Sequence, residues 1–428
     1  MKAMIYCRNK LISTFIKIIK ILVYTCVSTL FFLKSSYGFV GLFVSKDGNK
    51  ITNQNSMIVI ARKEQKTILT LTSDFYTKST RFVLVVPVPM SLKNPRISTV
   101  DYELIHKLDL YTSPRLIEYI NFDPCNPLAL TRPPIITDQS FTTIDMDKAI
   151  GLSSTIPKTT KDYNFITLSS KESIDINIWL KKYGYELPTQ YLDIFKKYIA
   201  AQMQFILIEV QNHDSNVTQL APIQIEYESE NFSLPVKVDT LNTSYTLNQN
   251  MILYFLSSQG EVSATNYSTQ NMPNNIDLPI SITANFNQFY NNVIHKVFAS
   301  HPDIIRKEYA WPMSACKPCT STPLSIDELQ KLGVFWYKLP KPGRMGLVAP
   351  FSAVYVTRLY MQYSPEYHLS NLVDNMQFKE TTDKIRYQTY FNIKHQISMA
   401  QSKCGEQYYS EMQKVETKEN ENLYILIH

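Results

Sequence analysis

Glycine is scarce in this sequence: 10 residues in 428, against an ordinary usage of about 7%. Cofactor and nucleophile loops lean on glycine because only a residue without Cβ lets the backbone approach a phosphate or turn sharply. No GxGxxG, no GxxxxGK followed by Ser or Thr, and no GxSxG occurs in the chain. Dinucleotide, P-loop and nucleophile-elbow chemistry therefore lack their usual carriers. Histidines are few in number too, with seven residues and no HExxH. His213-Asp214 and His301-Pro302-Asp303 read as turns, and Ser/His/Asp combinations assembled from so long a chain would mean nothing. No cofactor is expected.

A surplus of charge is missing too, once the N-terminus is set aside. Residues 1–38 carry six cations (Lys2, Arg8, Lys10, Lys17, Lys20 and Lys34) and no acid. They enclose an uncharged apolar run of 13 residues, Ile21 to Leu33, followed by Ser36 and Gly38 at the −3 and −1 positions. This is the pattern of a secretory signal cleaved after Gly38. The run is shorter than the roughly 20 residues a membrane span needs. Counted from Leu11, residues 11–33 form the alternative, an uncleaved anchor in which Lys17 snorkels toward the headgroups. Cys26 follows Val23-Tyr24-Thr25 and lacks the small residues of a lipid-attachment site. Of the chain's 43 Lys and Arg, removing six leaves 37 against 37 Asp and Glu. A chain of zero net charge offers no basis for nucleic-acid binding, which needs clustered excess cations.

The same cleavage removes Cys7 and Cys26 and leaves Cys125, Cys316, Cys319 and Cys404. An even number in an exported chain points to disulfides, and four cysteines allow three connectivities. Either Cys316 closes on Cys319 and Cys125 on Cys404, or each member of the close pair reaches one of the distant ones. About 390 residues bury a sizeable core without crosslinks, so such bridges reinforce the fold. The segment WPMSACKPCT (311–320) holds the one spacing that resembles chemistry, and it supports an alternative function as an exported thiol-disulfide oxidoreductase using Cys316 and Cys319. A reactive CxxC wants its first thiol at a helix N-terminus, whereas TSTPL separates Cys319 from the next predicted helix. Zinc ligation wants paired knuckles, and Cys125 and Cys404 stand alone. His301 and His395 have no ligand spacing to a cysteine. KLPKPGRMG (338–346) is a candidate anion-binding loop through Lys338, Lys341 and Arg344, though a solvated hairpin loop is the commoner meaning of such a run.

Short β-branched runs punctuated by polar turns fill 39–120: SMIVIAR (56–62), TILTLTSDF (67–75) and RFVLVVPVP (81–89). Pro87 and Pro89 place the end of the third at an edge or outside the sheet. A helix is predicted from Asp101 to about Leu110, and a second, short one from Ser113 as N-cap and Pro114. Residues 121–161, rich in Pro and Thr, read as a loop or linker anchored at Cys125. The middle part, 162–300, is predicted to run strand 163–169, helix 170–183 stopped at Gly184, and helix 189–201. Strands 203–210, 222–229, 232–238 and 251–258 follow, then a helix over 284–299 whose inner stripe is Phe286, Phe289, Tyr290, Val293 and Val297. His295 lies on the opposite side. The C-terminal part, 301–405, offers a helix at 325–332 with a capping box of Ser325 and Glu328 and a stop at Gly333. Strands are predicted at 334–339, 352–363 and 384–393, and a charged tail occupies 406–428. The fold class is α+β: mainly antiparallel β-sheet with several short packed helices, set as two lobes joined through 121–161.

FVGLFVSKDGNKITNQNSMIVIAR, FVLVVPVP, YTSPRLIEY with DPC, LSSKESIDINIWLKKYGYELP, IQIEYESENFSLPVKV, EYAWPMSACKPC, PLSIDELQKLGVFW and VYVTRLYMQY occur in that order. Together, over about 39–395, they resemble the bacterial exported family known as domain of unknown function 2330. The resemblance implies a signal-bearing envelope or secreted protein with no established activity or cofactor. Family members often carry a cysteine in the FxG-type start, where this chain has Val40. If that cysteine ordinarily pairs, the bridges here differ or leave a thiol free. The expected function is a non-catalytic binding or structural module of the envelope, stabilised by disulfides. Its surface loops would meet an envelope protein or polysaccharide, with membrane contact only if the N-terminal segment stays uncleaved.

Overall fold

Strands buried on one face alternate apolar and polar residues, whereas strands buried on both read as unbroken apolar runs. The runs SMIVIA and FVLVV are of the second kind, and they imply a sheet covered on each side. A computed structural model describes residues 41–89, 95–120, 141–143, 159–160, 163–168, 176–187, 191–201, 203–211, 218–236, 248–301, 304–313, 321–337, 354–363, 375–383 and 386–395.

The first strands are β1 (Leu42–Ser45), β2 (Asn55–Lys63), β3 (Lys66–Ser73), β4 (Phe82–Pro89) and β5 (Arg96–Thr99). Helix α1 (Tyr102–Thr112) leads to β6 (Arg115–Ile120), β7 (Phe141–Thr143), β8 (Thr159–Thr160) and β9 (Tyr163–Thr167). Helices α2 (Ile176–Lys182) and α3 (Leu192–Ala200) precede β10 (Met203–Val210), β11 (Gln219–Leu220), β12 (Ile223–Glu228) and β13 (Ser233–Pro235). Next come β14 (Gln249–Ser257), β15 (Val262–Ala264), β16 (Thr269–Asn271) and β17 (Ile276–Leu278), then a 3-10 turn over Ile280–Asn285 that runs into α4 (Phe286–Ser300). The described elements end with β18 (Ile305–Pro312), α5 (Ile326–Lys331), β19 (Tyr355–Tyr363), β20 (Asn375–Glu380), β21 (Tyr387–Gln388) and β22 (Tyr390–His395).

A large sheet orders its strands β16-β18-β19-β14-β2-β3-β12-β5, with β21 beside β18. A smaller one runs β1-β4-β10-β9 and is antiparallel throughout. Most pairings elsewhere are antiparallel, with parallel contacts such as β14 on β2 and β22 on β6. The architecture is therefore α+β, as the strand-rich pattern predicts.

Alternation inside the runs assigns the layers. In β2, Met57, Val59 and Ala61 join the core beneath α1, α4 and α5, while Ile58 and Ile60 face a second core against the smaller sheet. Strand β14 divides likewise, with Ile252, Tyr254 and Leu256 on the first side and Met251, Leu253 and Phe255 on the second. In β4, Phe82, Leu84 and Val86 share that second core, and Val83 and Val85 turn to a third, closed by α2 and α3. Four layers result: helices, large sheet, small sheet, helices. Beyond Val85, β4 pairs only with β10 among the described residues. Pro87 and Pro89 thus lie where one neighbour is missing, the edge position that two absent amide donors require.

The helix signals hold where caps exist. Asp101 caps α1 by accepting from the Glu103 amide at 3.1 Å. Gly184 (φ 81°) and Gly333 (φ 100°) stop α2 and α5 in left-handed backbone. In both, the two residues at the helix end donate to carbonyls three and five residues back, as in a Schellman motif. The predicted stripe of α4 faces the core, and His295 is exposed. Two expectations fail. No helix starts at Ser113: its hydroxyl donates to the Asp109 carbonyl at 2.7 Å and ends α1, while Arg115–Ile120 becomes a strand paired with β22. Val334–Tyr337 is not a strand either, because the left-handed turn at Gly333 aims this apolar stretch across the sheet.

Candidate functional site

The sequence-selected residues Cys125, Cys316, Cys319, Cys404, Lys338, Lys341 and Arg344 all lie outside the described residues. Residues around the close cysteine pair are described. Strand β18 ends at Pro312, and the next helix, α5, starts at Ile326 with its first amides already engaged. Ser325 Oγ accepts from the Glu328 amide at 3.3 Å, and the Glu328 carboxylate accepts from the Ser325 amide at 2.6 Å. Lys107, 2.8 Å from Glu328, holds that carboxyl down at about 2. Among the described residues no three His, Cys, Asp or Glu side chains gather as metal ligands would.

Ionisable groups do meet in the core. Arg358 on β19 is fully buried, with Nη1 2.8 Å from Asp109 Oδ1 on α1 and Nε 2.6 Å from Glu308 Oε2 on β18. Its Nη1 also donates to the Asp109 carbonyl and to the hydroxyls of Thr112 and Ser113. Tyr254 donates to Asp109 at 2.5 Å, and the Tyr290 hydroxyl donates to Glu308. A register shift between Lys307 and Tyr309 sets Glu308 at a bulge, and this re-aims the carboxylate into the core. Burial works against the Arg358 charge, but the carboxylates of Asp109 and Glu308 outweigh it and raise its pKa. Burial pushes the Tyr254 and Tyr290 hydroxyls well up. Nearby, Arg115 is buried and pushed down to about 10, which leaves it charged at neutral pH. The Arg358 guanidinium serves both carboxylates, and the hydroxyls of Tyr254 and Tyr290 supply further donors, as a sealed structural network requires. Sequence reasoning passed over these residues. Their signal is a lone charge inside an apolar period, such as Arg358 in VYVTRLYMQY.

Asp74 is buried at the other end of β3. Its carboxylate accepts from the Gln54 and Asn55 amides at 2.8 and 3.0 Å and from Asn55 Nδ2 at 2.7 Å. Burial outweighs those donors and pushes its carboxyl up to about 6. A carboxyl raised on folding binds its proton more tightly in the native state. Its contribution is full below about pH 4 and is lost as pH rises through 6, a change of about 3 kcal/mol at 1.36 kcal/mol per pH unit. Denaturant midpoints across pH 4–6 are expected to show this falling limb, and Asp74→Asn is expected to flatten it. An unchanged limb in that variant would assign the slope elsewhere.

The surface offers an open groove of about 770 Å³ at the turn joining β2 to β3, lined by Lys63, Glu64, Lys66, Glu228, Phe335 and Trp336. The turn is stiff. Glu64 adopts φ 58°, a left-handed conformation costing a non-glycine residue roughly 1 kcal/mol. Arg62 ties it inward, donating to Thr67 Oγ1 at 2.6 Å and the Ser229 carbonyl at 2.8 Å. Across the groove, Phe335 and Trp336 meet edge to face at 5.1 Å, and Lys66 lies 4.9 Å over the Phe335 ring while pairing with Glu226 at 2.5 Å. Gly333 seats this aromatic step directly on Ile68 of β3. The groove thus combines two half-buried rings with cationic donors and carboxylate acceptors.

A family model described as "Uncharacterized protein conserved in bacteria (DUF2330)" matches residues 34–374. No curated protein sequence matches the chain. Among solved structures, the crystal structure of baculovirus P35 aligns with 51% of this chain and 76% of its own, at 9% identity and a TM-score of 0.28. A mutated baculovirus P35 after caspase cleavage aligns over 51% and 78%, at 12% identity and 0.23. Neither fold nor activity is carried over from likenesses that low.

Proposed function

The chain belongs to this bacterial family, and from that premise we propose that it is an exported, non-catalytic binding module of the cell envelope. Two disulfides among Cys125, Cys316, Cys319 and Cys404 reinforce it, and the groove at the β2–β3 turn grips a polysaccharide chain. The groove carries this reading. A sugar ring presents an apolar C–H face, matched by Phe335 and Trp336, and hydroxyls that must both donate and accept. Lys63 and Lys66 donate, while Glu64 and Glu228 accept. A protein hot spot would want the rings desolvated at the centre of a dry patch, but here charged groups surround them. The basic leader with its apolar run supports export. The pairing of Arg358 with both Asp109 and Glu308 inside the core supports a structural use of the perturbed ionisable groups.

Affinity electrophoresis of the purified protein through gels containing envelope polysaccharide tests the groove. Retardation is expected for the native protein and roughly tenfold weaker binding for Trp336→Ala. Equal retardation of the two would remove the groove from the reading. Thiol titration of the exported protein, denatured without reductant, is expected to find no free thiol. A low-pKa, readily alkylated Cys316 would favour oxidoreductase chemistry instead.

A further inference from the structure

Asp74, the buried carboxylate at the end of β3, starts a row of side-chain amides that crosses the large sheet. Asn55 on β2 donates to it through Nδ2 at 2.7 Å. Asn250 on β14 stands in register with Asn55 and donates to its Oδ1 at 2.9 Å. Gln362 on β19, in register with Asn250, donates to Asn250 Oδ1 at 2.9 Å. Asn248 ends the row: its Nδ2 donates to Gln362 Oε1 at 3.2 Å and lies 3.3 Å from Nδ1 of His295 on α4. All four amides donate in one direction, toward the carboxylate, across three strand spacings or roughly 14 Å. His295 is exposed. We propose that this row is a reversible hydrogen-bond relay, coupling proton uptake by buried Asp74 to proton uptake by His295 at the surface. The proposal is independent of the polysaccharide groove.

The coupling follows from what each atom can do. A half-turn of a side-chain amide exchanges a donor for an acceptor of nearly the same size. The Gln54 and Asn55 backbone amides donate to Asp74 Oδ1 at 2.8 and 3.0 Å, so an added proton goes to Oδ2. That oxygen faces Asn55 Nδ2, and two donors cannot face each other. Asn55 must then turn, offering Oδ1 to the acid and Nδ2 to Asn250, and Asn250, Gln362 and Asn248 turn in succession. The Tyr360 hydroxyl, which donates to Asn250 Oδ1 at 2.8 Å, accepts from the turned amide instead. At the far end Asn248 now offers an oxygen, which favours a proton on His295 Nδ1. Both directions leave the four amides paired along the row, and only the protons at its two ends choose between them. Asp74 also meets the Tyr76 hydroxyl, with Gln219 of β11 as its bridge partner, and Lys296 adjoins His295 on α4. Burial brings the Asp74 carboxyl up to about 6, close to where imidazoles ordinarily titrate, about 6.5.

Ring-nitrogen NMR of His295 in the full chain, followed from about pH 5 to 8, tests the relay. In the native protein the neutral ring is expected to carry its proton on Nε2. Asp74→Asn fixes the row in its turned direction, because the new amide keeps its oxygen on the two backbone donors and must donate to Asn55. The neutral ring is then expected to carry its proton on Nδ1, and the His295 titration midpoint to rise by about half a pH unit or more. Loss of the carboxylate charge alone acts the other way and lowers a histidine midpoint. Other charges around His295 are the same in both proteins, so the sign of the change separates relay from field. Gln362→Met breaks the row and is expected to abolish the effect of Asp74→Asn. A midpoint that falls or stays put, or an effect that survives Gln362→Met, would overturn the proposal. If Asp74→Asn does not fold, His295→Phe at the exposed end decides. By reciprocity the Asp74 carboxyl midpoint, read by carbon NMR, is expected to fall, whereas removal of a cation alone would raise it. A rise or no change there would equally overturn the relay.

Discussion

Replacing Arg358 with Met is expected to destabilise the protein by roughly 3–5 kcal/mol, the cost of breaking a buried ion pair from one side. The size follows from what would be left behind. Asp109 and Glu308 have side-chain exposures of 2% and 0%, so neither carboxylate has water to fall back on. Burial already pushes the Glu308 carboxyl up, and losing the Arg358 charge would push it further in the same direction. A carboxyl whose folded pKa is raised adds stability at low pH and loses it as pH rises, so the variant is expected to recover part of its loss on acidification. Combining Arg358→Met with Asp109→Asn and Glu308→Gln removes the stranded charges and is expected to cost less than the single change. Guanidinium unfolding of the three proteins over pH 5–8 measures these differences. A single-variant loss below about 1 kcal/mol, or no pH-dependent recovery, would mean that water reaches the network.

That network shows where sequence reading stops. The runs in β2, β4 and β14 were legible because strands buried on both faces must be apolar at every position. Caps were legible because Asp101, Ser325, Gly184 and Gly333 act within a few residues of themselves. Partners distant in sequence were not. Nothing in DYELIHKLDLY says that Asp109 meets an arginine 249 residues later, or that Glu308 is turned inward by a bulge. Ser113-Pro114 misled because serine beside proline signals either a helix start or a helix end, and the parallel pairing with β22 decides. Val334–Tyr337 has strand composition, but its direction is set by one left-handed residue before it. The groove was invisible for the same reason: its lysines and its aromatic rings come from residues some 270 positions apart. The family resemblance, by contrast, was legible from ordered motifs and is matched by the family model over 34–374.

Gly333→Ala is expected to be nearly as costly as the loss of Arg358, through two separable effects. Its φ of 100° lies where an L side chain is strained, a penalty of roughly 1–2 kcal/mol. An added Cβ would also stand 2.6 Å from Ile68 Cγ2 and 2.7 Å from Ile68 Cβ, with Ala61 Cβ at 3.2 Å. Ile68 is 6% exposed on β3, and a branched side chain so placed cannot swing clear, so overpacking adds about 1–3 kcal/mol. A double-mutant cycle isolates the part due to the branched side chain. An Ile68→Ala background removes the 2.6 Å clash with Cγ2 and keeps the Cβ contact, so Gly333→Ala is expected to cost less there while still exceeding the backbone strain; equal costs in both backgrounds would show that Ile68 Cγ2 is not the obstacle. The same substitution reaches the surface, because Phe335 and Trp336 follow Gly333 by two and three residues. Displacing the turn from Ile68 moves both rings off the sheet, so polysaccharide retardation is expected to weaken in Gly333→Ala protein that is still folded. Ile68→Ala, which leaves the left-handed turn in place, is expected to bind as the native protein does. Weakened binding in both variants would make the groove sensitive to core packing in general, and retained binding in both would mean that the rings are not held by this turn.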